Sequence, residues 1–437
     1  MQTCNNIFQE ITRFGRIIGI LTLVIYLIGC DAKKETDKIV LRVAYWGHLE
    51  ERKTKLQMID AFQNQHPNIK IKPEPTEYPY YDKLLTMIAG KNAPDVFLVN
   101  SNSMFPDLAR KGAMVDLTSF IQNDQSLPMP DIFPQTMAAF KIDGKMYGLP
   151  NQFNTQVLYY NTRIFDEMKV PYPTASWTWD DLKTNAIKLT KRDADGRLIH
   201  AGIAFDMLPW DVIILINQNG GAVFNEPGTK CLLDSPEAIE AIQYLTNLRN
   251  KYRVIPTDAE YQSLTGMNMF QLERSAMYVT GQWTIAELVS RYPQVKWSVV
   301  PLPRQKKAAT MMDVHGFAIA SQSKYPKEAW EFVKFMISPE QQKLITRLRI
   351  NLPISKTVVD EYLKTEQDQR LKTNMQVGVD SLKSASFFPT TAKCGVDYIS
   401  SMMWEDIEGC YATSSKKSVK QAMQNITKRI NKQLQSE

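Results

Sequence analysis

The stretch Ile39-Val40-Leu41-Arg42-Val43-Ala44-Tyr45, closed by Trp46-Gly47, and its counterpart Pro94-Asp95-Val96-Phe97-Leu98-Val99 decide the fold class. Both are short, almost continuous apolar or β-branched runs bounded by turn residues, which is how a strand covered on both faces reads. Between them lies a helical pattern, with Leu56, Ile59 and Phe62 at three-residue intervals and Met58 four before Phe62; His66-Pro67-Asn68 ends it. Residues 69–73 form a second short strand. A second helix over 81–89 carries Leu84, Leu85 and Ile88 on one side. Strands alternating with helices predict an α/β fold with a largely parallel sheet. The loops at Trp46-Gly47 and at residues 100–103 then lie together at the carboxyl ends of two strands.

Downstream the same grammar continues. Asp143-Gly144 is a tight-turn dipeptide between two short runs, and Val157-Leu158-Tyr159-Tyr160 is another strand. Thr178 with Asp181, Asp234 or Ser235 before Pro236, and Ser338-Pro339-Glu340-Gln341 each open a helix with a capping residue or a proline in its first turn. Strands are predicted near residues 297–300 and 317–320. A helix follows with Ala329, Trp330, Val333 and Met336 at core spacing, and an amphipathic helix over 419–434 ends the fold.

The amino end reads differently. Arg13 and Arg16 precede an apolar run over residues 17–28, too short to cross a hydrocarbon core of ~30 Å as a helix. This pattern predicts a secretory signal peptide over residues 1–29, and Leu27-Ile28-Gly29-Cys30 resembles a bacterial lipobox; a plain signal peptide or an N-terminal membrane helix is the alternative. Cleavage there makes Cys30 a lipidated amino terminus and residues 30–38, charged and without large apolar side chains, a solvated tether. Asp31 after Cys30 resembles an inner-membrane retention signal.

The 437 residues, 44% hydrophobic and 22% charged, exclude a disordered or fibrous chain, and suggest two or three units. A net charge of +6 without a dense Lys/Arg tract points to no nucleic-acid partner. Five cysteines exclude a disulfide scaffold; in an oxidising compartment Cys394 and Cys410 have the option of pairing, leaving Cys231 alone. His48, His66, His200 and His315 lie far apart, in no metal-ligand spacing. No nucleophile elbow, phosphate loop or dinucleotide fingerprint occurs. Asp193-Ala194-Asp195-Gly196 lacks the remaining ligands of a calcium loop and reads as a hairpin turn. Glu50-Glu51 and Asp180-Asp181 sit at helix starts, where the helix dipole favours them. No metal, cofactor or catalytic group is expected.

The order of motifs resembles the extracellular solute-binding proteins of bacterial ABC importers, in particular the sugar-binding family related to maltose-binding protein. The matching pieces include Ala61-Phe62 through His66-Pro67-Asn68-Ile69, Tyr81-Asp82-Lys83-Leu84-Leu85, Ala93-Pro94-Asp95-Val96 and Asp143-Gly144-Lys145-Met146-Tyr147-Gly148-Leu149-Pro150. Trp177-Thr178-Trp179-Asp180-Asp181-Leu182, Gln218-Asn219-Gly220-Gly221, Asp234-Ser235-Pro236-Glu237-Ala238, Gly281-Gln282-Trp283 and Val300-Pro301-Leu302-Pro303 follow. The resemblance implies a two-lobed, hinged α/β fold of the periplasmic-binding-protein type. Residues 39–147 and 304–352 would form one lobe and 148–303 and 353–437 the other, with crossings near 146–150, 299–303 and 352–353. It implies a monomeric, non-enzymatic, lipid-anchored receptor on the extracytoplasmic face of the membrane, carrying a mono- or oligosaccharide to an ABC permease. A glycan-active surface enzyme, or a ligand sensor for a signalling partner, stays open as the alternative.

A sugar offers apolar faces and a rim of hydroxyls, so flat aromatics and planar amides or carboxylates in loops after strands are the expected ligand groups. Those are Trp46, Tyr80, Asn100, Ser101, Asn154 and Trp210. The resemblance adds Trp283, where the family commonly carries a stacking tryptophan, and His315-Gly316, where it usually shows two glycines. His315 is therefore a departure. Trp177, Trp179, Trp297 and Trp330 read as packing residues, and Phe388 and Trp404 as the weaker aromatic candidates.

Overall fold

A computed structural model describes residues 38–47, 49–76, 79–103, 105–411 and 418–436. The expected signal peptide, the lipidated Cys30 and all of the tether but Lys38 lie outside them, as does His48. Among the described residues, no helix is long and apolar enough to cross a membrane.

The opening strands form as their sequence dictates. β1 (Ile39–Trp46) pairs in parallel with β2 (Ile69–Thr76) along its length and with β3 (Val96–Asn100) at Val43 and Ala44. The helix Leu49–Gln65 packs on them through Met58, Ile59 and Phe62. Leu56 does not join that face: it is exposed, and Lys55 is buried in its stead, its Nζ 5.8 Å from the centre of the Tyr45 ring. The long aliphatic stem of lysine tolerates that burial better than its charge suggests.

β4 (Lys141–Ile142) and β5 (Lys145–Met146) form the expected hairpin, with Asp143 and Gly144 both at positive φ. β6 (Leu149–Thr155) and β7 (Val157–Asn161) are separated only by Gln156 yet belong to different sheets. β8 (Lys191–Arg192) and β9 (Leu198–His200) flank the turn that contains Asp193-Ala194-Asp195-Gly196. The remaining strands are β10 (Met277–Thr280), β11 (Trp297–Val300), β12 (Thr310–Ile319), β13 (Leu352–Pro353) and β14 (Ala385–Ser386). The larger sheet has the order β13-β6-β12-β3-β1-β2, and the smaller is β10-β7-β11.

Parallel pairing in the larger sheet is confined to β1 with β2, β1 with β3, and the short β12–β14 contact; β12 runs antiparallel to both β3 and β6. The sheet is therefore mixed where a largely parallel one was expected. The reason is topological: β6 carries the chain out of this lobe and β12 brings it back, so neighbouring passages run in opposite senses.

The two lobes are visible in their cores. One joins residues such as Leu41, Val99 and Phe153 with Phe317, Trp330 and Ile354; the other joins Leu158, Trp179 and Ile213 with Met311, Phe388 and Ile426. Helices Trp179–Leu189 and Pro236–Asn250 of the second lobe start as their sequence signals require, with the Thr178–Asp181 capping box and the Ser235 cap.

The chain passes between lobes later than the Gly and Pro residues suggested. β6, including Pro150, is still paired in the first sheet, so the first crossing is at Gln156. The second lies at residues 309–312, and the last passage runs through helix Gln369–Ser381 to β14, because β13 and Ile354 remain in the first core while Leu371 already packs with Trp297 and Tyr159. Gly148 marks close packing, where a Cβ would stand 3.0 Å from the Phe140 ring and 3.2 Å from the Phe317 carbonyl oxygen. These passages lie side by side. The Gln156 N–H donates to the Met311 carbonyl at 3.1 Å, the Thr310 hydroxyl to the Gln156 carbonyl at 2.7 Å, and Thr310 and Met311 pair with Ala385 and Ser386. Cys231, Cys394 and Cys410 are buried, and no disulfide joins Cys394 to Cys410.

Candidate functional site

β1 and β3 end at the same edge of the larger sheet, and β12 runs in beside β3. Register sets which side chains meet there. His315 lies opposite Asn100 on β3 and Gln152 on β6, and Asp313 opposite Asn154. Paired residues share a face and the strand period is two, so Asn100, Gln152, Asn154, Asp313 and His315 form one polar row. Within it the Asn100 amide donates to Asp313 Oδ2 at 2.7 Å. His315 Nε2 is 3.1 Å from the same oxygen, while Gln152 Nε2 is 3.1 Å from His315 Nδ1. An amide N–H facing Nδ1 leaves the imidazole proton on Nε2, pointing at the carboxylate. The Trp46 indole packs 5.1 Å from the His315 ring and 5.0 Å from Tyr80, centre to centre.

Two oxygens of the row, Asp313 Oδ1 and Asn154 Oδ1, are shielded and have no hydrogen-bond partner among the described residues. A buried acceptor left unmade costs ~1–3 kcal/mol, a cost that an ordered water or a ligand hydroxyl would recover.

The other expected ligand groups of this lobe do different work. Tyr80 is the first residue of its helix rather than a loop residue, and it is buried. Its hydroxyl donates to the Ala44 and Leu98 carbonyls at 3.2 and 3.1 Å, and burial holds the phenol far above its ordinary pKa. It supports Trp46 from beneath. Ser101 stitches β3 to β12: its N–H donates to the Val314 carbonyl at 2.9 Å, and its hydroxyl accepts from the Val314 N–H at 3.0 Å. Asn154 is buried and donates to the Asn351 side chain. Gly316 is demanded by packing, since a Cβ there would collide with the Leu149 carbonyl and the Phe140 ring.

Trp210 and Trp283 belong to the second lobe, and among the described residues no ring contact or hydrogen bond joins either to the Trp46 group. Trp210 is half-buried in the first turn of helix Pro209–Gln218 and packs on the second core. Trp283 is 36% exposed, its ring folded over Gly281. Beside it Gln282 is buried and its Oε1 accepts from the Thr155 N–H at 2.9 Å, tying this turn to the first crossing.

The lobes touch near the polar row. Asn102 donates to the Met312 carbonyl at 2.6 Å and accepts from the Phe388 N–H at 3.0 Å, and Arg110 reaches the Thr390 hydroxyl at 3.4 Å. Asp313, Gln152 and Asn102 were missed in the sequence. The available signal was the alternation in Met312-Asp313-Val314-His315, which places Asp313 and His315 on one strand face.

Chemically the row can hold hydroxyls, through a carboxylate, amides and an imidazole beside an indole plane. An Asp–His pair is also the supporting half of a hydrolytic triad, but here the second imidazole nitrogen faces the Gln152 amide, not a hydroxyl or thiol to activate. Among the described residues no group of three or more His, Cys, Asp or Glu could hold a metal.

The chain matches the family model described as bacterial extracellular solute-binding protein over residues 46–343. It is 26% identical over 347 residues to the arabinooligosaccharide-binding protein of Bacillus subtilis, covering 74% of this chain and 75% of the relative. The maltotriose-binding protein of Pyrococcus abyssi is 22% identical, covering 73% and 68%. An ABC substrate-binding protein of Listeria monocytogenes solved with cycloalternan superposes with a TM-score of 0.81 at 29% identity, over 92% of this chain and all of the other. With its two lobes, three adjacent crossings and matched motifs, the chain belongs to the family of bacterial extracellular solute-binding proteins.

Proposed function

We propose that this protein captures an oligosaccharide between its lobes and passes it to the membrane subunits of an ABC importer, without transforming it. The observation that carries the reading is the indole of Trp46 standing against the Asn100–Asp313–His315–Gln152 row, which leaves one carboxylate oxygen without a donor. Trp46, Asn100, Asp313, His315 and Gln152 contact sugar from the first lobe, and Trp210 and Trp283 from the second. Tyr80, Ser101, Asn154 and Gly316 hold the first set in place. The relatives named for arabinooligosaccharide and maltotriose support a neutral glycan. Cys30 carries the lipid anchor on the extracytoplasmic face.

A thermal-shift screen of neutral and acidic saccharides tests the reading. A true ligand at ~100 times its dissociation constant adds ~2.7 kcal/mol of stability, and Trp46→Ala removes the shift. Catalytic turnover without stoichiometric binding refutes it.

A further inference from the structure

The turn that carries Trp283 is bonded to the hinge through one buried side chain. Gln282, the first residue of the short helical turn Gln282–Thr284, is 1% exposed. Its amide holds Thr155, the last residue of β6, at two points. Oε1 accepts from the Thr155 N–H at 2.9 Å, and Nε2 donates to the Thr155 hydroxyl at 3.4 Å. That hydroxyl donates onward to the Gly378 carbonyl at 3.1 Å, within helix Gln369–Ser381. One amide therefore joins three bodies: the end of a first-lobe strand, a second-lobe turn, and the helix that packs on the first core through Met375 and beside Tyr159 and Trp297 through Leu371. Gln156, where the chain leaves the first sheet, is the next residue after Thr155.

Two close approaches reinforce the junction. Glycine weakens a helix interior, yet Gly378 sits inside the bridging helix, because a Cβ there would stand 2.7 Å from Gln282 Nε2 and 2.5 Å from Leu352 Cδ1 of the first core. The Trp283 ring lies against Gly281, where a Cβ would come within 2.1 Å of it. The Tyr159 hydroxyl is shared between the Gly281 carbonyl at 3.4 Å and Asn374 Oδ1 of the same helix at 3.3 Å. The indole is thus linked to the bridging helix by a second, parallel route. We infer that Gln282 is a positioning residue for lobe closure: it ties the Trp283 indole to the pivot at Gln156 and to helix Gln369–Ser381, so that a sugar drawing on Trp283 turns the second lobe as one body. Gln282 is too buried to touch the ligand and acts through its neighbour. Both ends of its amide are bonded, and a satisfied buried network of this kind is stiff. A pull on the turn therefore reaches the strand end one residue from the pivot. This inference rests on the sugar-capture reading with Trp283 as a ligand group, and the test separates the two.

Neutral oligosaccharides of two to seven units are titrated calorimetrically into the full chain, and small-angle X-ray scattering reads the radius of gyration with and without saturating sugar. The unmodified protein is compared with Gln282→Met, Thr155→Val and Gln342→Met. Gln342 is the matched control, a buried first-lobe glutamine whose amide donates to the Asn151 carbonyl at 2.9 Å and accepts from the Ile354 N–H at 2.8 Å. All three substitutions should lower the melting temperature. Only the hinge pair should change the response to sugar. Gln282→Met should lose the ligand-induced contraction and bind about tenfold more weakly, the size of an ordinary coupling between sites. Thr155→Val keeps its N–H bond to Gln282 and should lose part of the contraction, while Gln342→Met should contract in full. A Gln282→Met protein that contracts and binds like the unmodified chain overturns the coupling and spares sugar capture. So does equal loss of contraction in Gln342→Met, because general loosening would then explain it, and so does an unmodified chain that binds without contracting. If Gln282→Met does not fold, full contraction in Thr155→Val overturns the coupling and partial contraction supports it. Failure of the unmodified chain to bind any member of the series overturns both readings.

Discussion

Asp313→Asn separates a ligand-binding role for the polar row from a purely structural one, because the two readings give opposite signs. Asp313 Oδ2 holds the Asn100 amide at 2.7 Å and faces His315 Nε2 at 3.1 Å, while Oδ1 is shielded and unpaired. Asparagine keeps the shape, and with its amide oxygen in the place of Oδ2 it still accepts from both Asn100 and His315, its N–H₂ taking the unpaired position. In the empty protein the substitution therefore removes a partly desolvated charge and breaks no required contact. Stability should stay level or rise by up to ~1 kcal/mol. In the complex it removes a charged acceptor for a sugar hydroxyl, worth ~1.5–3 kcal/mol. At ~1.4 kcal/mol per decade that is roughly a 10- to 100-fold weaker dissociation constant. Calorimetric titration with the best glycan from the screen reads the second quantity, and denaturant unfolding without ligand reads the first. A variant that unfolds more easily yet binds with unchanged affinity shows that Asp313 serves the fold alone, and the argument from the unpaired oxygen fails.

Trp283→Ala should weaken glycan binding at least several-fold with little effect on melting, since the ring is 36% exposed; titration and a thermal melt check both. Gly202→Ala should cripple folding, because its Cβ would overlap the Ala186 carbonyl, a backbone atom that cannot swing aside; soluble yield and circular dichroism report it. Cys30→Ala should abolish incorporation of labelled palmitate and release the protein from membranes on fractionation. Burial pushes the Asp211 carboxyl up to about 8, against ~3.9 in an unfolded chain. Between those values the folded chain binds a proton that the unfolded chain does not, so this residue's contribution to stability declines as pH rises from 4 to 8. Denaturant unfolding at pH 5 and pH 8 should show the loss, and Asp211→Asn should remove its share of it.

What was legible in the sequence was whatever depends on local pattern. β1, β3, the Asp143-Gly144 hairpin and the caps at Thr178 and Ser235 follow from periodicity and capping chemistry within a few residues. The strand carboxyl ends that carry Trp46 and Asn100 are readable without tertiary information. Asp313 is not, since the first half of β12 follows the polar segment 304–308 and shows its meaning only through its register with β3 and β6. Tyr80 was misplaced for a related reason. Its hydroxyl is consumed by two carbonyls from strands far off in sequence, which no local rule anticipates. The hinge was sought at Gly148 and Pro150 because those residues commonly mark chain breaks. Here the glycine admits an aromatic ring and the proline sits in a paired strand, while the crossing residue is an ordinary glutamine.

That hinge explains why binding can be read out as shape. Each lobe keeps its own buried core, and three strands cross at nearly one place, so a small rotation there disturbs few packed contacts. Helix Gln369–Ser381 bridges the divide. Met375 lies in the first core, Leu371 packs with Trp297 and Tyr159 of the second lobe, and Asn374 accepts from the Tyr159 hydroxyl at 3.3 Å. Among the described residues, the polar contacts that span the mouth near the polar row include Asn102 with Phe388 and Arg110 with Thr390. Bonds of that kind contribute only ~1 kcal/mol each, comparable to one well-made sugar hydrogen bond. A ligand that touches only the first lobe binds open and closed forms alike and shifts nothing. Closure must therefore be driven by second-lobe contacts, and mutations at Trp210 or Trp283 should uncouple binding from closure, whereas mutations at Trp46 or Asp313 should abolish binding itself.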